Sequence, residues 1–280
     1  MDLSILQQKE LFPPLIRSKL ASIDLDYVEK HGAIKKINKK KTFHLEASVV
    51  VLINYKTVGG NAEYVFQLIK RSAKVAQGGD ISCPGGMLSP TIDNFLSCFL
   101  KTGIIPIMNR AWTEDLNLRD RKTCSLIQLY LTNALREAWE EIRLSPFNVS
   151  FLGALPSYSL TSFPRTIFPL VCLTHNPFKY KLNAEVEKVL EIPLSFFFES
   201  SNYAWLHVTT PEGENAYGEQ SRFPCLVISD NDGNDDVLWG ATLHIITNFL
   251  TVVSSGQLPT NIAGKKLKKI ITKNYLSGSR

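Results

Sequence analysis

The chain has 280 residues, 44% of them hydrophobic and 10% aromatic, a balance that excludes a disordered, collagen-like or low-complexity protein. Its five Cys, none in a CxxC pair, argue against a disulfide framework and a structural zinc site and fit a reducing compartment. The net charge of +5 is local: Gly264 to Arg280 carries five Lys and one Arg with no acid, leaving 25 of the 31 basic residues against 26 acidic ones, so a solvated basic tail is expected rather than a nucleic-acid or membrane-binding face.

In chain order, residues 1–31 read as one or two short amphipathic helices around Pro13 and Pro14, followed by a basic linker, Lys35 to Lys41. Two β-branched runs, Ala47 to Tyr55 and Tyr64 to Arg71, flank the turn residues Thr57 to Ala62 and predict a hairpin. A Gly-rich passage follows, Gln77 to Met87, and then a segment of mixed character, Asn94 to about Arg121. Ser125 and Gln128 have the spacing of a capping box. Apolar Ile127, Leu131, Leu135, Ala138 and Ile142 mark one face of a helix that ends near Leu144, before Pro146. Strands are expected at Val149 to Leu155, Ile167 to Leu173 and Phe223 to Ile228, a short helix at Ala184 to Leu190, and a last helix from about Gly240 to Val253. The stripe of that last helix is Ile245, Ile246, Phe249, Leu250 and Val253. Mixed strands and helices without strict alternation indicate an α+β fold, or a sandwich with helices on both faces. No apolar run approaches the roughly 20 residues that span a bilayer, and no cationic-then-apolar leader opens the chain, so no membrane association and a cytoplasmic location are expected.

One segment carries chemistry. In Arg136-Glu137-Ala138-Trp139-Glu140-Glu141-Ile142, three glutamates at spacings of three and four lie opposite the apolar stripe, within about 100° of one another on the exposed face. Such like charges destabilise a bare helix. They are also hard oxygen donors of the kind that Mg²⁺ and Mn²⁺ prefer. A solvated acidic face is the alternative. Upstream, Pro84-Gly85-Gly86 is a tight turn where backbone can come close to a ligand.

A Pro-Gly-Gly turn followed by Arg-Glu-x-x-Glu-Glu on a helix resembles the Nudix box. The resemblance sharpens toward the coenzyme A diphosphatase branch. Leu68 to Ser72 followed by Gly79 to Gly86 is similar to that branch's signature, with Cys83 where Phe is usual. Leu155-Pro156 with Tyr158, Thr161, Ser162 and Pro169, Asn183 to Glu187 with Ile192-Pro193-Leu194, and Leu238 to Thr242 resemble its later motifs. The likeness runs from about Ser48 to Val253. It departs in three ways. Between Gly86 and Arg136 lie 49 residues where the box has thirteen, so 36 are inserted. Ile92 replaces the first box Glu, with Asp93 beside it as a substitute. Arg143 replaces the closing Gly, which usually supplies a left-handed helix end.

The resemblance implies a Nudix-type α/β/α sandwich with a mixed sheet between helices over 42–255, the insertion at about 94–129, a helical segment with its basic linker at 1–41 and a basic tail at 256–280. It implies Mg²⁺ or Mn²⁺ held by Glu137, Glu140 and Glu141, with Arg136 positioning them, Glu185 or Glu141 as general base, and Arg71, Ser72, Gly85 and Gly86 at the substrate. The reaction would split coenzyme A or a derivative into 3′,5′-ADP and 4′-phosphopantetheine, with Arg71, Lys70 and Lys74 as cations for the 3′-phosphate. Another nucleoside diphosphate derivative, such as ADP-ribose, an oxidised nucleotide or a dinucleoside polyphosphate, is the alternative substrate. A non-catalytic binding module is the alternative class. Trp239 is expected in the core and Tyr158 against a loop, and none of the five His has ligand spacing. The apolar Ile104 to Met108 and Trp112 are expected to pack over the active-site mouth. A small nucleotide diphosphate is the expected partner; oligomeric state is open, and the resemblance leaves peroxisome and mitochondrion open.

Overall fold

The computed structural model describes residues 3–40, 43–58, 60–101, 119–160, 163–212, 222–229, 235–254, 258–259, 262, 265–271 and 275. Strands β1 (Leu45–Val58) and β2 (Asn61–Arg71) form the expected hairpin. Val58 pairs with Asn61, and Gly60 takes φ +88°, a conformation glycine adopts at little steric cost.

Around this hairpin the main sheet runs β3 (Ile81–Ser82), β2, β1, β7 (Arg165–Thr174), β5 (Val149–Ala154). Three strands join off that path: β4 (Gly85–Met87) on β1, β6 (Tyr158–Ser159) on β7, and β8 (Val186–Pro193) on β2. The β1–β7 pair is parallel and the other pairs of this sheet are antiparallel. Period-two alternation gives each strand two buried faces. Val50, Leu52, Phe168, Leu170 and Cys172 pack under α2 (Tyr27–Lys39) and α4 (Arg121–Ile142), where the stripe Ile127, Leu131, Leu135, Ala138 and Ile142 is buried as expected. On the other face Val51, Ile53, Phe66 and Leu68 meet α1 (Phe12–Ala21) and the stripe of α5 (Gly240–Ser254). The fold is therefore α+β, a mixed sheet between helices. A second sheet, β11 (Asp235–Trp239), β10 (Arg222–Ser229), β9 (Tyr203–Thr209), β12 (Lys266–Ile270), stands beside it.

Several expectations are corrected. The basic run Lys35 to Lys39 is the last part of α2, not a linker. Helix α4 starts at Arg121 rather than Ser125. Its cap is Asp120, whose carboxylate accepts from the Lys122 and Thr123 N–H groups, so Ser125 and Gln128 form no capping box. Helix α3 (Pro90–Lys101) occupies the start of the expected insertion. The apolar stretch Ile104 to Met108 and Trp112 lies outside the described residues. Ala184 to Leu190 is not a helix: Val186 to Leu190 belong to β8, because pairing with β2 over seven residue pairs outweighs local helix preference. Lys266 to Ile270, expected as solvated tail, pairs in parallel with β9, with Ile271 buried.

Candidate active site

Strand β4 makes the site. Strand β2 pairs with β1 from Leu52 to Val58, whereas Ala47 to Val49 pair instead with Met87 to Gly85. The hairpin strands thus part at one end of the sheet, and the Gly-Gly turn threads between β1 and α4. Gly85 has φ +148°, and a Cβ there would collide with the Ser48 carbonyl. Its N–H donates to Glu141 Oε2 at 2.9 Å. A Cβ on Gly86 would lie 2.5 Å from Glu137 Cδ. Both positions need glycine because backbone passes against backbone at one and against a carboxylate at the other. The expected reason, close approach to a ligand, is joined here by close approach to the glutamates.

The parting opens a cavity of about 770 Å³. Glu137 and Glu141 line it from α4, Glu185 from the residue before β8, and Arg71 from the end of β2. Glu141 is buried, 4% exposed, so the reading of one exposed acidic face holds only for Glu140, whose side chain is 52% exposed. Glu140 does not line the cavity. Burial pushes the Glu141 carboxyl up to about 8, and the charges of Glu137 and Glu185 add to it, against the opposing Gly85 N–H and Arg71 charge. Burial likewise raises Glu137.

Arg136 holds the acidic cluster together. Its Nε donates to Asp93 at 2.8 Å, its Nη1 lies 2.8 Å from Glu137 Oε1 and 3.1 Å from Glu140 Oε1, and its Nη2 donates to Asn133 Oδ1 at 2.8 Å. Burial works against its charge, but these partners outweigh it and hold its pKa above the ordinary arginine value. Asp93 is fully buried and takes the bond to Arg136, while neighbouring Ile92 is half exposed. Arg143 ends α4 at φ 60°, ψ 33°, so the left-handed end is made by Arg, with its guanidinium 5.3 Å from the Trp139 ring centre.

The remaining expected residues divide. The Arg71 Nε donates to the Ala76 carbonyl at 3.0 Å, so Arg71 both faces the cavity and ties the Gly-rich loop. Ser72 does not line the cavity; its N–H donates to the Glu185 carbonyl at 2.8 Å and its Oγ accepts weakly from Lys74 N–H at 3.4 Å. Lys70 is committed to Glu187 at 2.9 Å and Asp236 at 3.0 Å, away from the cavity, and Lys74 does not line it. Cys83 is buried, its thiol pushed up to about 12 by burial and then by Glu141, and it acts as a small apolar group.

Trp239, Tyr158, Tyr275 and Arg165 are among the lining residues that the sequence did not place in the site. Trp239 is buried in the core beside the second sheet, as expected, and also lines the cavity, its Nε1 donating to Asp80 Oδ1 at 3.2 Å; Tyr158 lines the cavity as well and packs on the His244 ring at 4.5 Å. Tyr275 reaches it from the basic tail, and its hydroxyl and Lys269 both bind Asp80. Arg165, first residue of an otherwise apolar strand, is the fourth; a lone charge at that position was the available signal.

Oxygen donors from Glu137, Glu141 and Glu185 suit Mg²⁺ or Mn²⁺, and a divalent cation would offset the burial that disfavours the charge of Glu137 and Glu141. Among the described residues no three His, Cys, Asp or Glu side chains are gathered at ligand spacing. Mg²⁺ needs no such cage, since it is commonly held by one or two carboxylates with the rest of its shell from water and phosphate.

No protein-family model matches the chain, and no curated protein matches it. Solved structures do. A MutT/nudix family protein from Enterococcus faecalis is 13% identical with a TM-score of 0.39, over 82% of this chain and 73% of that one. A C. elegans Ap4A hydrolase binary complex is 15% identical with a TM-score of 0.34, over 54% and 81%. The NUDIX domain of Shewanella oneidensis NrtR complexed with ADP ribose is 15% identical with a TM-score of 0.33, over 57% and 83%.

Proposed function

We propose that this chain is a Nudix-type diphosphatase that hydrolyses the pyrophosphate of coenzyme A or a derivative, with Mg²⁺ or Mn²⁺ held by Glu137 and Glu141 and with Glu140 as the third ligand. The observation that carries the reading is the convergence of Gly85-Gly86, Glu137, Glu141, Glu185 and Arg71 on one cavity, although they come from four separate stretches of chain. When bound, the cation supplies charge neutralisation for the phosphoryl oxygens and acidifies water.

The chain's own groups do the rest. Arg136 fixes the Glu137 and Glu140 carboxylates, and the Gly85 N–H fixes Glu141. Arg71 offers a planar fork of donors to a phosphate oxygen. Glu185 accepts the proton of the water that attacks phosphorus, the anhydride P–O bond breaks, and two phosphomonoesters leave. The aromatic wall excludes water from one side. With coenzyme A the products are 3′,5′-ADP and 4′-phosphopantetheine.

The test is product mass from a panel of coenzyme A, ADP-ribose and a dinucleoside tetraphosphate with added Mn²⁺. A second reading, a nucleotide-binding module without turnover, is favoured by one observation, the position of Glu140 outside the cavity. Binding of a panel member without product would select it.

A further inference from the structure

Arg165 opens β7 at the end of the sheet where Arg71 closes β2. The topology explains why they share a cavity. Strands β2 and β7 flank β1 on opposite sides, β2 antiparallel and β7 parallel, so the C-terminal end of β2 and the N-terminal end of β7 fall at the same edge. Arg165 pairs with Leu45, two residues before the Ala47–Ile167 pair, so Arg165 and Ile167 share the strand face that lines the cavity. On that stretch β1 pairs with the short strand β4 in place of β2, and both arginines line the cavity beside it.

The arginine is not explained by the fold. Its Nε is shut away from solvent with no hydrogen-bond partner. Among the described residues no carboxylate pairs with it, and the charge that acts on it is another cation, Arg71. An unpartnered buried guanidinium nitrogen is costly to a folded chain, and two neighbouring cations repel. An anion placed between them removes both penalties. Guanidinium forks fit phosphate geometry in pairs of parallel hydrogen bonds.

We infer that Arg165 and Arg71 form a two-arginine clamp for a phosphoryl anion in the cavity that Glu137 and Glu141 also line. The diphosphatase reading supplies the identity of that anion, a phosphate of the substrate diphosphate or of its nucleotide; the existence of the clamp rests on the arginines alone. The clamp would hold one phosphoryl group by cations of the chain while the other meets the carboxylates.

The experiment uses the full chain and inorganic pyrophosphate without divalent cation, at low salt, titrated by calorimetry with intrinsic tryptophan fluorescence in parallel. Saturable binding by the wild-type chain is expected. Arg165→Met, which keeps the stem and removes the fork, should weaken it roughly 10- to 150-fold, while the melting temperature stays the same or rises because the orphan nitrogen is gone. Unchanged affinity, absence of wild-type binding, or a marked fall in melting temperature of Arg165→Met would each overturn the clamp. Failure of the hydrolase reading looks different: no diphosphate is turned over with Mg²⁺ or Mn²⁺, while the pyrophosphate comparison stands.

Discussion

Gly86 lies so close to Glu137 that an added Cβ would sit 2.5 Å from its carboxylate carbon. The smallest residue in the turn thereby sets where a proposed metal ligand stands. Gly86→Ala is expected to push Glu137 aside and lower kcat/KM on the order of 10²-fold, since a displacement of about 1 Å at a reacting centre costs that much. The strain of overpacking is roughly 1–3 kcal/mol. Steady-state kinetics with a thermal melt checks this, and a well-folded variant with near-normal activity would show that the contact does not matter.

Arg71 is the residue at which the proposed substrate branch can be tested. If it reads the 3′-phosphate of coenzyme A, Arg71→Ala should lower kcat/KM for coenzyme A about 10- to 150-fold while sparing 3′-dephospho-coenzyme A. Its bond to the Ala76 carbonyl supplies the competing outcome, a loss of the Gly-rich loop that lowers both substrates equally. Measuring both substrates on one variant separates the two.

Arg143 already occupies the left-handed position where the resembling motif has Gly. Arg143→Gly should relieve about 1–2 kcal/mol of backbone cost. It also gives up the contact with Trp139, worth roughly 0.5–1 kcal/mol, and gains disorder in the unfolded chain. The expected net change in denaturant stability is within about 1 kcal/mol of zero. A loss above that would reveal a further role for the guanidinium.

How much of this was legible in sequence depends on period. The stripes Ile127 to Ile142 and Ile245 to Val253 repeat at helical spacing, and both are buried where expected. The turn and the acidic helix were legible as motifs. The burial of Glu141 was not, because helical angle alone places it on an outer face, and only the passage of β4 across that face covers it. Val186 to Leu190 reads as helix in isolation and is held as strand by β2, a partner more than a hundred residues earlier. Lys266 to Ile270 reads as solvated tail because its alternation is weak, yet it closes an edge of the second sheet.

Glu191 offers a pH test away from the site. Burial would raise its carboxyl, but hydrogen bonds from Lys56, Tyr180 and Gln67 outweigh that and hold it below the usual glutamate range. A lowered acid stabilises the fold above its unfolded pKa of about 4.3, and the contribution is lost as pH falls through the lower folded value. Glu191→Gln should therefore melt earlier than wild type at pH 7, with the gap closing below about pH 4. A gap that persists in acid would point to packing instead of charge.

Hydrolysis of a diphosphate by the Glu137 and Glu141 wall of the cavity is the activity proposed. Its most direct measurement is product mass from coenzyme A with saturating Mn²⁺, for the wild-type chain beside Glu141→Gln. Wild type should give 3′,5′-ADP and 4′-phosphopantetheine, and the variant should lose activity on the order of 10²-fold or more, as for other charged groups that act at the reacting centre. Equal turnover by the two chains, or no product from coenzyme A or any other diphosphate, would contradict it.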